Sequence, residues 1–226
     1  MGTWSMHGDT IRNIIRAYDD PVVRTYCWIR FGILRQRFLD EIGQYLPDAG
    51  PVLDIGCGFG LFSLYYAATG PGRFIRGLDV SARRIALARR AAARLGIDNV
   101  AYEEADARAF KGDGEVAAAY MLDIVHHIPP ETVPPLLSRL HACLSPGGVL
   151  LVKDVDTRPA PKRWFTWALD RLMSPRTPVR YWSGEELASA LRAAGFETRR
   201  HAMLDFLPYP HVLYICAKRG YRHEAR

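Results

Sequence analysis

Four features are missing from the sequence, and each absence excludes a class of protein. The four cysteines are scattered with no CxxC pair, which suits neither a zinc site nor a disulfide framework and is typical of reduced, intracellular thiols. The first residues form no apolar secretory segment, and Met6 stands where a myristoylation signal has Ser or Thr. No apolar run approaches the roughly 18 residues that span a bilayer. We therefore expect a cytoplasmic protein.

Charge is unevenly placed along the chain. The formal net charge is +6, yet residues 1–152 carry 16 basic and 16 acidic side chains, so the whole excess lies in residues 153–226. A basic surface attracts nucleic acid, anionic lipid or an anionic ligand, although a solvated face is the commoner explanation. Charge alone therefore leaves the function open.

Apolar runs alternate with amphipathic stretches. Two helices are predicted first, over 10–18 and 22–46. Seven strand-like runs follow, over 52–56, 73–79, 99–106, 115–121, 149–154, 196–203 and 211–219. Strand–helix alternation with apolar strands indicates a parallel sheet covered on both faces, and two final strands without a helix between them indicate an antiparallel hairpin. The sequence therefore predicts an α/β fold with a doubly wound, mostly parallel, seven-stranded sheet.

The whole chain, residues 1–226, is predicted to form a single domain. Its parts are an N-terminal helical cap over 1–47, a core over 50–154, an insertion after the fifth strand over 155–182, and a last helix with an edge hairpin over 183–226. The insertion is rich in aromatic and basic side chains. This composition suits a helix that packs on the domain, a lid over a substrate, or a helix at a membrane surface.

A glycine-rich loop follows the first predicted strand, where open α/β sheets bind ligands. Its glycines are Gly56, Gly58 and Gly60. Glycine permits positive φ and lets the backbone approach a ligand closely. The spacing is GxGxG rather than the GxGxxG of dinucleotide-binding loops, whose third glycine is replaced here by Leu61. The preceding acid, Asp54, suits a ligand with an ammonium group and would repel a pyrophosphate.

Acidic residues also end the next two predicted strands. Asp79 can accept hydrogen bonds from both hydroxyls of a ribose, and Asp106 can accept one from an adenine amino group. Acids often end strands, so each carries little weight alone. Three acids at the ends of successive strands, with a glycine loop after the first, indicate a site for an adenosine-containing ligand.

On these residues, the segment 50–154 resembles the class I methyltransferases that depend on S-adenosylmethionine (SAM), in the style of the quinone-biosynthesis enzymes. VLDIGCGFG resembles their first motif, GLDVS their second and EADA their third, while YMLDIVHHIPPE and LSPGGVLLVKD resemble later motifs. The resemblance implies a Rossmann-like fold, SAM as the cofactor, and cofactor contacts at the strand ends. These contacts are Asp54, Gly56, Gly58, Gly60, Asp79, Val80, Asp106, Ala107 and Leu122.

Two histidines, His126 and His127, follow the fourth predicted strand on the loop that this resemblance places beside the methyl donor. The sulfonium of SAM is already a strong electrophile, so positioning supplies most of the acceleration. A hydroxyl acceptor also gains from a general base, and an imidazole with a pKa of about 6.5 suits that role. The pair can instead hold the loop by packing. We take His127, and after it His126, as the candidate catalytic base.

Asp123 and Asp154 end the fourth and fifth predicted strands, where catechol-type methyltransferases bind magnesium. That pattern has Asn directly after the second acid, whereas this sequence has Val155. A metal needs several oxygen ligands, and a third is missing unless Asp156 supplies it. We therefore predict that no metal is bound.

The acceptor is predicted from side chains outside the motifs. Trp164 and Trp167 of the insertion are expected to contact a hydrophobic or aromatic small molecule, and nearby basic residues suit a weak association with an anionic membrane surface. We therefore expect SAM-dependent methylation of such an acceptor at oxygen. Methylation of RNA or protein is the alternative, but no nucleic-acid-binding module is visible and no nucleic-acid partner is expected. A catalytically silent SAM-binding protein is disfavoured because no loop glycine or strand-end acid is lost.

Overall fold

The structure is a computed structural model that describes residues 3–112, 114–155, 180, 182–203 and 211–218, with the backbone alone for 3–8. Seven α-helices and seven strands lie in these described residues. The helices are α1 (Thr3–Arg16), α2 (Pro21–Ile33), α3 (Gln36–Gly43), α4 (Leu61–Thr69), α5 (Ala82–Leu95), α6 (Val133–Cys143) and α7 (Gly184–Ala193). The strands are β1 (Ala49–Ile55), β2 (Gly72–Asp79), β3 (Val100–Glu104), β4 (Val116–Leu122), β5 (Leu144–Val155), β6 (Glu197–Met203) and β7 (His211–Ala217).

The described strands form a seven-stranded sheet in the order β3-β2-β1-β4-β5-β7-β6. β2 pairs in parallel with both β1 and β3, and β4 pairs in parallel with β5. β7 pairs antiparallel with both β5 and β6. The predicted α/β fold, mostly parallel with a C-terminal antiparallel hairpin, is confirmed. The last strand, β7, lies between β5 and β6, so β6 forms the edge of the sheet.

The chain divides into two compact units, Met1–Ala107 and Arg108–Arg226. The first holds α1 to α5 with β1 to β3, and therefore the glycine loop and its neighbouring acids. The second holds β4 to β7 with α6 and α7, and therefore the histidine pair. The single domain over residues 1–226 stays a prediction.

Local sequence signals set several element boundaries. The hydroxyl of Ser81 accepts a hydrogen bond from the Arg84 N–H at 3.3 Å and begins α5, which ends at Gly96 with φ of 64°. Ser183 and Glu186 form a capping box at the start of α7, each side chain accepting from the backbone N–H of the other. No helix in the part of the chain described combines the length and apolarity needed to cross a bilayer.

The prediction of one helix over 22–46 is wrong, because the structure divides this stretch into α2 and α3. Leu34 and Arg35 leave the helical region with ψ of 77° and 157°. Exposed Gly32, a weak helix former, lies just before the break. The break lets α3 direct a separate apolar face into the core. That face consists of Phe38, Leu39 and Ile42.

The fifth strand begins earlier than predicted. β5 starts at Leu144 and includes the Pro-Gly-Gly segment at 146–148, which precedes the predicted strand over 149–154. The register against β4 shifts between Val116 and Ala118, which pair with Leu144 and Val149. The strand therefore absorbs the extra residues as a local irregularity.

Candidate active site

The glycine loop of the first unit connects β1 to α4. Gly56, Gly58 and Gly60 have φ of 77°, 57° and 79°, values that other residues rarely adopt. The N–H groups of Gly56 and Cys57 donate to the Leu78 carbonyl at 2.8 and 2.9 Å. These bonds tie the loop to the end of β2.

Gly58 and Gly60 differ in what surrounds them. A Cβ at Gly60 would lie 2.5 Å from the phenol oxygen of Tyr102, whose hydroxyl donates to the Gly60 carbonyl at 3.2 Å. A Cβ at Gly58 would meet nothing within 4 Å. Packing therefore requires glycine at position 60, whereas Gly58 leaves open space through which a ligand can approach the backbone.

Asp79 ends β2 and also holds the glycine loop. One carboxylate oxygen accepts from the Gly58 N–H at 3.0 Å, and the other accepts from the Ser81 N–H at 2.9 Å. The Arg84 guanidinium lies 3.9 Å from the same carboxylate. Each carboxylate oxygen can accept more than one hydrogen bond, so these contacts leave capacity for ribose hydroxyls.

The ends of β2 and β3 lie side by side. The Ala105 N–H donates to the Asp79 carbonyl at 3.0 Å, and half-buried Asp106 and Ala107 follow directly. Val80 is 66% exposed although it is apolar. Apolar surface next to a few polar groups is the usual lining of a ligand site. The structure thus brings together the cofactor residues predicted at these two strand ends.

Asp54 is only 3% exposed, and its carboxylate accepts a hydrogen bond from the hydroxyl of buried Ser63 in α4. Asp54 therefore joins β1 to α4, and its contact with a cofactor ammonium stays a prediction. Burial, then the charges of Asp54 and Asp79, raise the pKa of the nearby Cys57 thiol well above its usual value. A protonated thiol is a poor nucleophile.

Phe59, inside the glycine loop, is held by residues that sequence reasoning missed. The Tyr18 hydroxyl, at the end of α1, donates to the Phe59 carbonyl at 2.7 Å. The Tyr26 ring of α2 meets the Phe59 ring edge-on, with centroids 5.1 Å apart, and the Arg84 guanidinium lies over it at 5.6 Å. The two N-terminal helices therefore support the loop directly. No local pattern around Tyr18 signals this contact.

In the second unit, β4 ends at buried Leu122 and is followed by Asp123, whose φ is 58°. Positive φ is uncommon outside glycine. Lys153 of β5 holds Asp123 at two points, because its carbonyl accepts the Asp123 N–H at 2.8 Å and its ammonium pairs with the Asp123 carboxylate. Lys153 is 1% exposed. This pair fixes the backbone just after the Leu122 position at which a cofactor contact is predicted.

A second pair fixes the short turn Val125–His127. Nδ1 of His126 lies 2.6 Å from one oxygen of Asp154, and the His126 backbone N–H donates to the other at 3.2 Å. The Val155 N–H also donates to Asp154, at 2.8 Å. His126 is 3% exposed. Its buried ring is therefore committed to holding the turn.

His127 presents a different environment. It is half-buried, and its ring lies 4.2 Å from the His126 ring, centroid to centroid. Of the two predicted bases, His127 is thus the more accessible to an acceptor. The geometry fits the order of preference given by the sequence, and the catalytic role of either histidine stays a prediction.

The two acids considered as metal ligands are both engaged by protein donors, Asp123 by Lys153 and Asp154 by His126. The third acid considered, Asp156, lies outside the described residues. Within those residues, no group of three or more His, Cys, Asp or Glu side chains is arranged to hold a metal ion. Trp164 and Trp167, predicted to contact the acceptor, also lie outside the described residues.

The sheet order, the glycine loop and the strand-end acids define an α/β protein with a site for an adenosine-containing ligand. A family model described as a methyltransferase domain matches residues 29–201, more than half of the chain. The chain therefore belongs to the family of SAM-dependent methyltransferase domains, which confirms the predicted family, fold and cofactor.

Several characterised proteins are similar to this chain. The trans-aconitate 2-methyltransferase of Pseudomonas paraeruginosa is 31% identical over 151 residues, which are 65% of this chain and 51% of that protein. The apo structure of the SAM-dependent methyltransferase SibL has a TM-score of 0.67 at 22% identity, covering 88% of this chain and 58% of that one. Magnesium protoporphyrin IX methyltransferase from Synechocystis PCC 6803, solved with bound SAM, has a TM-score of 0.63 at 18% identity. The match covers 82% of this chain and 80% of that one. The structural likenesses show the fold, and the chain spans about half the length of the first of these relatives.

Proposed function

We propose that the chain transfers the methyl group of SAM to an oxygen atom of a small-molecule acceptor, with His127 as the general base. SAM supplies a methyl carbon on a positively charged sulfur, so the acceptor oxygen forms the new bond while the carbon–sulfur pair returns to sulfur. His127 takes the acceptor's proton. The observation that carries this role is the bond between His126 and Asp154, because it commits His126 to the turn while His127 is the less buried residue of the pair.

We place the acceptor among hydrophobic or aromatic compounds. In the first unit, α2 exposes Val22 and Trp28 by 76% and 70%, while Tyr26 of the same helix contacts Phe59 in the glycine loop. Apolar side chains exposed on a helix that also supports the ligand loop favour an apolar ligand. Basic residues in 153–226 further support weak, salt-sensitive binding to anionic vesicles.

A second candidate acceptor is a small organic acid methylated at a carboxylate. The trans-aconitate 2-methyltransferase relative favours it, since trans-aconitate is a tricarboxylate. The basic excess of the last third of the chain also suits an anionic acceptor. A carboxylate is already ionised at neutral pH, so this reaction would need no general base.

A screen with methyl-labelled SAM tests both proposals. Phenols, long-chain alcohols and aromatic acids would be compared with trans-aconitate, tRNA and protein as acceptors. Label in an apolar oxygen acceptor supports the first proposal, and label in trans-aconitate alone supports the second. Label in RNA or protein, with none in the small molecules, would contradict both.

A further inference from the structure

Arg180 lies beside the turn that carries the histidine pair. Its backbone N–H donates to the His126 carbonyl at 2.9 Å, so its Cα is fixed next to this turn. Arg180 is exposed. A backbone hydrogen bond therefore holds a cationic residue beside the turn that carries His127, the residue proposed to take the acceptor's proton.

The two carboxylates at the histidine turn are engaged by partners of their own. Asp123 is paired with Lys153, and Asp154 accepts from His126. The pKa of the Glu186 carboxyl is lowered mainly by hydrogen bonds from Ser183, and the charge of Arg180 contributes less to the same shift.

Several arginines elsewhere in the described residues do have carboxylate partners. The pairs are Arg76 with Glu103, Arg94 with Asp19 and Arg192 with Glu185. Among the described residues, no carboxylate forms an ion pair with Arg180. Within that part of the chain, the Arg180 guanidinium is therefore not engaged by a carboxylate.

We propose that Arg180 binds a carboxylate group of the acceptor and so determines specificity for organic acids. The inference rests on the proposed function, because it takes the acceptor to lie at the histidine turn. A guanidinium binds a carboxylate through two parallel hydrogen bonds, which gives orientation as well as affinity. Arg180 would anchor such an acid beside the histidine turn, whether the rest of the acceptor is apolar or polar.

The test compares wild type, Arg180→Gln and Arg180→Lys, with Arg192→Gln as the matched control. Arg192 is also exposed, but it is paired with Glu185 in α7. Calorimetry with S-adenosylhomocysteine present would measure binding of three acids, namely trans-aconitate, an aromatic acid and a fatty acid, each beside its neutral methyl ester. Binding is read without turnover, so a failure of methyl transfer would contradict the proposed function and still leave this measurement readable.

The inference predicts that at least one acid binds more tightly than its ester. Arg180→Gln should weaken that acid by about 10- to 100-fold, since hydrogen bonds to charged groups are the stronger ones. The affinity of Arg180→Lys for that acid should lie between those of wild type and Arg180→Gln, because lysine keeps the charge and loses the paired geometry. Affinity for S-adenosylhomocysteine and for the ester should stay within about twofold of wild type, and Arg192→Gln should match wild type. An equal loss in Arg192→Gln, an equal loss for the ester, weaker S-adenosylhomocysteine binding, or no acid preference in any pair would overturn the inference.

Discussion

The imidazole Nδ1 of His126 lies 2.6 Å from the carboxylate of Asp154, and both side chains are buried. Asp154 accepts two further hydrogen bonds, from the backbone N–H groups of His126 and Val155. One carboxylate thus joins the end of β5 to the turn after β4. Because the His126 ring meets Asp154 through Nδ1, its tautomer and orientation are set by this bond. Asp154 is therefore a positioning residue in this account.

Replacing Asp154 by Asn tests that positioning role. An amide offers one acceptor oxygen where the carboxylate offers two, so at least one buried donor loses its partner. We expect the free energy of unfolding to fall by about 1–3 kcal/mol. We also expect kcat to fall at least tenfold with SAM affinity nearly unchanged. Denaturant unfolding, titration and turnover of the same variant would check this, and full turnover in a destabilised variant would reduce Asp154 to a purely structural residue.

His127→Ala should lower kcat by roughly 10²- to 10⁴-fold for a hydroxyl acceptor, the usual contribution of a general base. SAM affinity should be retained. His126→Ala should lower stability as well, because the Asp154 carboxylate loses its buried partner. His201→Ala, at an exposed position of β6, is the control.

The pH profile separates the two acceptor classes within that experiment. With a hydroxyl acceptor, the wild-type rate should fall on the acidic side as the base protonates, and His127→Ala should lose this limb. With a carboxylate acceptor, the decline should follow the acceptor's own pKa of about 4 in both proteins. An unchanged rate and profile in His127→Ala on a hydroxyl acceptor would remove His127 as the base.

Removing divalent cations should not lower activity. Lys153 and His126 already engage the two acids that a magnesium site at these strand ends would use. Turnover measured with and without EDTA checks this directly. Strong inhibition that magnesium relieves would instead make Asp123 and Asp154 ligands.

Tyr18→Phe should weaken SAM binding severalfold. The change removes the hydroxyl that holds the Phe59 carbonyl, and burial raises the pKa of Tyr18, so this hydroxyl is a donor at physiological pH. Tyr66→Phe is the matched control, since its buried hydroxyl donates to the Leu39 carbonyl at 3.0 Å. Both variants should lose about 0.5–1.5 kcal/mol of stability. Equal SAM affinities in the two would show that Tyr18 supports the fold and not the loop.

The cofactor residues of the first unit could be predicted because their signals are local. Glycines at 56, 58 and 60 and acids at 79 and 106 stand directly at strand ends, and parallel strands bring those ends to one edge of the sheet. The fold class followed from the same strand–helix alternation.

The contacts that hold these elements in place could not be predicted in the same way. Tyr18 reaches Phe59 across 41 positions, and Lys153 reaches Asp123 across 30. Each depends on tertiary packing that leaves no periodic pattern. The break at Leu34 was missed for a related reason, because the apolar pattern continues through it and only packing of α3 requires the chain to turn.

The most direct test of the account is calorimetric titration of wild type, Asp79→Asn and Asp79→Ala with SAM, S-adenosylhomocysteine and NADH. Wild type should bind the first two and not NADH. Asp79→Ala removes the predicted ribose contacts together with the bonds to Gly58 and Ser81, so its affinity for SAM should fall by about 1–3 kcal/mol, and the affinity of Asp79→Asn should fall less. Asp98→Ala, exposed before the amino end of β3, should bind as wild type. Binding of NADH without SAM, or full SAM affinity in a folded Asp79→Ala protein, would contradict the cofactor site described above.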